Sequence, residues 1–157
     1  MTRREAREAA FLLLFEQSFK EDGAEEILAL AAEAREMKIS GFGKGLFVGV
    51  TENLAAVDEK LDKALIKWDS DRISRVTRTA LRLCTYEMMF TELETEIAVN
   101  EALELIKKFD GEESAAFANG VAGGIDKALR VRSNGTHLHR RRAYGLYKKL
   151  SGGITPA

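Results

Sequence analysis

The sequence predicts an all-α protein, a bundle of about six helices, on three observations. Apolar residues recur at three- and four-residue steps along most of the chain, the period of one helix face. No run combines strict alternation with the β-branched content of a strand. The 157 residues, 45% hydrophobic and 31% charged, suffice for one substantial core, and the single proline, Pro156, lies near the end.

Thr2-Arg3-Arg4-Glu5 has capping-box spacing and opens a first helix to about Phe19. Ala6, Ala10, Leu13, Leu14 and Gln17 fall on one side and Phe11 and Phe15 on another, so this helix is expected to pack on more than one face. Lys20-Glu21-Asp22-Gly23 breaks the chain before a second helix, about 24–37. A third begins after Ser40-Gly41 and carries Phe47, Val50, Leu54, Val57, Leu61 and Leu65 in a nearly unbroken stripe. Trp68-Asp69-Ser70-Asp71 recaps the chain for a fourth, about 72–90, with Ile73, Val76, Ala80, Leu83 and Cys84 inward. A turn over 91–95 leads to a fifth, about 96–109, with Ala98, Ala102, Leu105 and Phe109 inward. After Asp110-Gly111, a sixth over about 115–130 places Phe117, Val121, Ile125 and Ala128 on one stripe. Each of its glycines, Gly120, Gly123 and Gly124, costs about 1 kcal/mol relative to alanine, so close packing is expected to compensate.

Catalysis is hard to build from this inventory. Cys84 is the only cysteine and reads as a small buried hydrophobe, which excludes a disulfide framework and a multi-cysteine zinc site. The only histidines, His137 and His139, have no acid after Asp126 to complete a metal site, and no dinucleotide or Walker motif is present. No catalytic residue, metal or cofactor is expected. The apolar run Ala9 to Phe15 lacks a cleavage site and is too short to span a bilayer, so a cytoplasmic protein without membrane contact is expected.

Charge is distributed unevenly. Residues 1–131 hold 18 Arg and Lys against 25 Asp and Glu, whereas residues 132–157 hold six bases and no acid. Any RNA contact on the body must therefore be local. Arg3, Arg4 and Arg7 crowd the first turns of helix one, where cations oppose the helix dipole and phosphate would meet both guanidinium groups and a helix end. Arg75, Arg78 and Arg82 lie within about 60° on helix four at 100° per residue, a cationic stripe unless neighbouring acids pair with it. Glu87 projects toward the apolar side and, if buried, needs a cationic or amide partner. Asn100, Glu104 and Lys107 edge helix five, and Asn119, Asp126 and Arg130 edge helix six, all outward.

Four fragments together are more specific. Thr2-Arg3-Arg4-Glu5-Ala6-Arg7; Trp68 with Asp71-Arg72-Ile73, Ala80-Leu81-Arg82-Leu83 and Tyr86-Glu87; Val99-Asn100-Glu101-Ala102 with Leu105 to Phe109; and Phe117-Ala118-Asn119-Gly120-Val121 resemble, in order and spacing, the NusB family of bacterial transcription antitermination factors. The resemblance covers about residues 2–131. It implies a compact bundle of about six to seven helices in two packed three-helix subdomains, followed by a basic tail over 132–157. It further implies a noncatalytic factor that binds boxA-like single-stranded RNA with the small-subunit ribosomal protein NusE, beside other antitermination factors and RNA polymerase, on ribosomal RNA operons. Carried over, Arg3, Arg4 and Arg7 match its arginine-rich RNA-binding start, and Glu113 and Phe117 match positions near its RNA surface. Arg82, Glu87, Asn100 and Glu101 match signature positions divided between fold support and partner docking, and helices four and five, with Glu104 on the exposed edge, form its usual region for meeting the ribosomal protein.

The chain departs from the family where Glu94-Thr95-Glu96-Ile97 lacks the usual proline and where Ala122-Gly123-Gly124 replaces the usual leucine. The principal alternative is a protein-only helical scaffold. An enzyme comes third, because similar helical domains accompany some RNA methyltransferases, although this chain lacks room for a cofactor domain. Monomer and homodimer are both compatible with the apolar faces.

Overall fold

The computed structural model describes residues 2–19, 26, 29, 40–68 and 73–132. Within them the chain forms α1 (Arg3–Gln17), α2 (Gly41–Glu52), α3 (Leu54–Leu65), α4 (Arg75–Phe90), α5 (Thr95–Phe109) and α6 (Glu112–Arg132), with no strand among the described residues. Of the expected second helix only Glu26 and Ala29 are described, both helical and exposed. The remainder of that helix, Asp69 to Arg72, and the tail from Ser133 with His137 and His139 lie outside the described residues.

Local chemistry sets the helix ends. The Glu5 amide donates to Thr2 Oγ1 at 3.1 Å, forming one half of the expected capping box. Ser40 and Ser74 accept in the same way from the amides of Gly43 and Thr77. The long third helix of the sequence reading is two helices, α2 and α3. At Asn53 the backbone leaves helical geometry (φ −112°, ψ 20°), and its side-chain amide Nδ2 donates to the Gly49 carbonyl at 2.8 Å beside the Asn53 backbone N–H at 3.1 Å. The fourth helix starts at Arg75, with Ile73 and Ser74 in extended or irregular backbone ahead of it. Gly111, at φ 99°, supplies the left-handed residue that ends α5 and sends the chain directly into α6.

α4 is the hub, touching α1, α2, α3, α5 and α6. Its buried side chains include Ala80, Leu81, Leu83, Cys84, Tyr86 and Met88, so more than one face is apolar. They join Leu13 of α1, Phe47 and Val50 of α2, Leu61 and Leu65 of α3, Ile106 of α5 and Val121 and Ile125 of α6 in one continuous core. α1 is packed on both expected sides, with Phe11 as buried as Ala10 and Leu13.

Several inward assignments are corrected, and Leu54 and Ile73 are only half-buried. Phe109 is 40% exposed and stacks on Phe11 at the rim, with ring centroids 5.5 Å apart. Ala128 is exposed, and the buried stripe of α6 is instead Ala118, Val121, Ala122 and Ile125, a shift in phase that leaves Phe117 half-buried at the edge. Val76 is half-buried. Cys84 is buried as expected, and burial pushes its thiol well up from the ordinary value, which leaves it protonated and inert.

Candidate nucleic-acid interface

The arginine trio of α1 is divided by its neighbours. Arg7 points inward, 6% exposed, and donates Nε and Nη2 to the two carboxylate oxygens of Glu87, each at 2.9 Å. Burial holds the Glu87 carboxyl above its ordinary value, and the Arg7 hydrogen bonds and charge offset only part of that rise. This is the cationic partner that a buried Glu87 required, and it removes Arg7 from the surface expected to meet phosphate. Arg3 stays exposed, its guanidinium carbon 4.2 Å from the centroid of the Phe42 ring. Arg4 is also exposed and donates to both oxygens of Glu101 on α5 at 3.2 Å; these hydrogen bonds and the Glu101 charge raise its pKa.

Acids of α3 engage two of the three arginines of the α4 stripe, the alternative left open for it. Arg82 pairs with Asp58 at 2.8 and 3.0 Å, and Arg78 with Asp62 at 3.1 Å. The two helices lie side by side with these charges in register. Arg75 donates to the Ser18 carbonyl at 2.7 Å and lies over the Phe19 ring, closing the end of α1. On α5, Asn100 and Glu104 are exposed and Glu101 is held by Arg4, while on α6 Arg130 pairs with Asp126.

Glu113 and Phe117 are brought together at a pocket of about 360 Å³ that the sequence reading did not foresee. Trp68, Ile73, Ser74, Thr77 and Ser114 complete its lining. Trp68 stands edge-on to Phe117, with ring centroids 5.5 Å apart and planes at 85°. A Cβ on Gly120 would lie 2.8 Å from the Trp68 ring, so the indole rests where only glycine leaves space. Close packing therefore accounts for Gly120, whereas Gly123 and Gly124 face open space.

Behind the lining, Asp110 accepts hydrogen bonds from the hydroxyls of Ser74, Thr77 and Ser114. Burial pushes this carboxyl up, but the three hydrogen bonds outweigh it and hold Asp110 below its ordinary value. In the sequence, Trp68 and Asp110 read only as breaks between helices. The usable signal was that the lone tryptophan and Gly120 both fall within the family-like fragments.

Among the described residues, no group of three or more His, Cys, Asp or Glu could hold a metal ion, and no helix is long and apolar enough to cross a membrane.

Comparison with known proteins bears on the family and the fold. The profile of the NusB family matches residues 4–127. The chain is 38% identical over 133 residues to the transcription antitermination protein NusB of Clostridium novyi (strain NT), covering 82% of this chain and 100% of that protein. The structure of T. maritima NusB superposes with a TM-score of 0.71 at 33% identity, covering 81% of this chain and 92% of that one. A crystal structure of antitermination factors NusB and NusE in complex with dsRNA gives 0.70 at 28% identity, with 80% and 96% covered.

Proposed function

The chain belongs to the NusB family, and from that premise we propose that it binds boxA-like single-stranded RNA together with the ribosomal protein NusE, supporting transcription of ribosomal RNA operons. At the coarser level it is a noncatalytic, RNA-binding transcription antitermination factor, like its relatives.

The observation that carries the single-strand reading is the surface pocket at Trp68, Glu113 and Phe117. A duplex keeps its bases stacked and paired, and its deep groove admits few side chains. An unpaired strand can turn a base out onto aromatic rings. Exposed Arg3 and Arg4 would position phosphates without reading sequence. Arg7, Arg78 and Arg82 drop out of that role because each is both held by a carboxylate and largely covered, whereas Arg4, although paired with Glu101, stays exposed. For NusE, the exposed groups Asn100 and Glu104 on α5 are the proposed contacts, with Glu101 acting through Arg4. Glu87 and Arg82 support the fold.

The test is titration of labelled boxA-like RNA, a scrambled strand and a boxA duplex, each with and without NusE. The expected order is boxA strand first, with affinity rising when NusE is added. Equal affinity for all three RNAs and no gain from NusE would reject the assignment. A scaffold acting through proteins alone predicts instead that Arg3→Ala with Arg4→Ala leaves function intact.

A further inference from the structure

The polar side chains of the pocket share one character. Ser74, Thr77 and Ser114 direct their hydroxyl protons at Asp110, so each presents oxygen lone pairs elsewhere. One lone pair of Ser74 Oγ already accepts from the Thr77 amide. Glu113, exposed at the rim, adds a carboxylate that accepts only. The remaining walls are the Trp68 and Phe117 rings and Ile73. Side chains of this kind offer acceptors and flat apolar surface, so a matching ligand is planar and brings its own donors.

Among the RNA bases one fits this demand best. The Watson–Crick edge of guanine carries two adjacent donors, N1–H and the N2 amino group, which a carboxylate can accept as a pair. Cytosine and adenine each set one amino group beside a ring-nitrogen lone pair, which a carboxylate repels. Uracil sets its single N3–H between two carbonyls. The volume, about 360 Å³, is at the small end of the range of about 300–1,000 Å³ typical of small-ligand pockets, which suits one base.

We infer that the pocket between α4 and α6 receives one unstacked guanine of a single-stranded RNA, with its donor edge toward Glu113 and the hydroxyl oxygens and its ring against Trp68 and Phe117. The inference rests on the RNA-binding reading above and adds the identity of the base. Gly120 is a positioning residue here: it lets the indole lie against α6 and keeps the aromatic wall in place.

Trp68 is the only tryptophan, so its fluorescence reports on this pocket. The experiment compares short single strands of uridine and adenosine carrying one guanine with the same strands carrying inosine, which lacks the N2 amino group, or adenine at that position. The guanine strand is expected to quench Trp68 and to bind about tenfold tighter than the inosine strand, the scale of one hydrogen bond to a charged group. In Glu113→Gln that preference should vanish while the thermal melt is unchanged. Wild-type protein that prefers boxA-like to scrambled RNA yet binds guanine and inosine strands alike overturns the inference and leaves the RNA reading standing. Guanine discrimination with no boxA preference does the reverse. Guanosine monophosphate that saturates the Trp68 signal as effectively as the strand would assign the pocket to free nucleotides and overturn the RNA assignment.

Discussion

Arg7 and Glu87 tie α1 to the central helix through two hydrogen bonds in a space that excludes water. Arg7→Met would strand the Glu87 charge there, and a loss of about 3–5 kcal/mol is expected by urea unfolding. Adding Glu87→Leu should restore most of it, because two apolar side chains need no partner; a double variant as unstable as the single one would contradict this account. Asp110 carries a pH signature of known sign. Its folded-state pKa is lowered, so its stabilising contribution is complete above the ordinary carboxylate value near 3.8 and disappears as pH falls through the lowered value. The stability gap between wild type and Asp110→Asn should therefore be constant near neutrality and shrink below about pH 4, the ordinary Asp range. Glu87 shows how far single residues were legible. Its need for a cation followed from its phase on an apolar helix face, but that Arg7 would answer it, 80 positions earlier, depended on how α1 crosses α4.

Among the elements, α6 gives the sharpest contrast, because its glycines are alike in sequence and differ in surroundings. At Gly123 and Gly124 an added methyl meets nothing, so alanine at either should stabilise by about 0.5–1 kcal/mol through helix propensity alone. Gly120→Ala meets the Trp68 ring at 2.8 Å, and the indole must move. Melting temperatures should rise for the first two and not for Gly120→Ala, which should also alter Trp68 emission. Unaltered emission would mean that the indole does not rest on Gly120. Periodicity located every described helix, yet it read α2 and α3 as one. The apolar stripe runs on through Asn53, whereas the break is a backbone event, with Asn53 outside helical geometry and its side chain adding a second hydrogen bond to the Gly49 carbonyl.

Over the whole molecule, the opposing charges of body and tail make RNA affinity a question of a few contacts. Each phosphate of a single strand that the protein neutralises, releasing its counterion, should contribute about 0.7 to the slope of log affinity against log salt. Arg3→Gln is expected to reduce the slope by about that amount, and Arg82→Gln should leave it unchanged because Arg82 is paired with Asp58. Truncation after Arg132, which removes five of the six tail bases, should lower the slope while preserving preference for boxA-like RNA. Loss of that preference would move recognition into the tail.

Helix content and most of the core could be derived from residue order, because burial of an amphipathic helix is a local periodic property. The family could be read too, since its four fragments keep their order and spacing. Which arginines remain exposed to solvent could not be read, because Arg3, Arg7 and Arg82 are chemically identical and differ only in whether a distant aspartate, glutamate or ring faces them. The pocket was equally hidden. Trp68, Thr77, Asp110 and Glu113 are separate punctuation or surface in the chain, and only the packing of α4 against α6 brings them to one place.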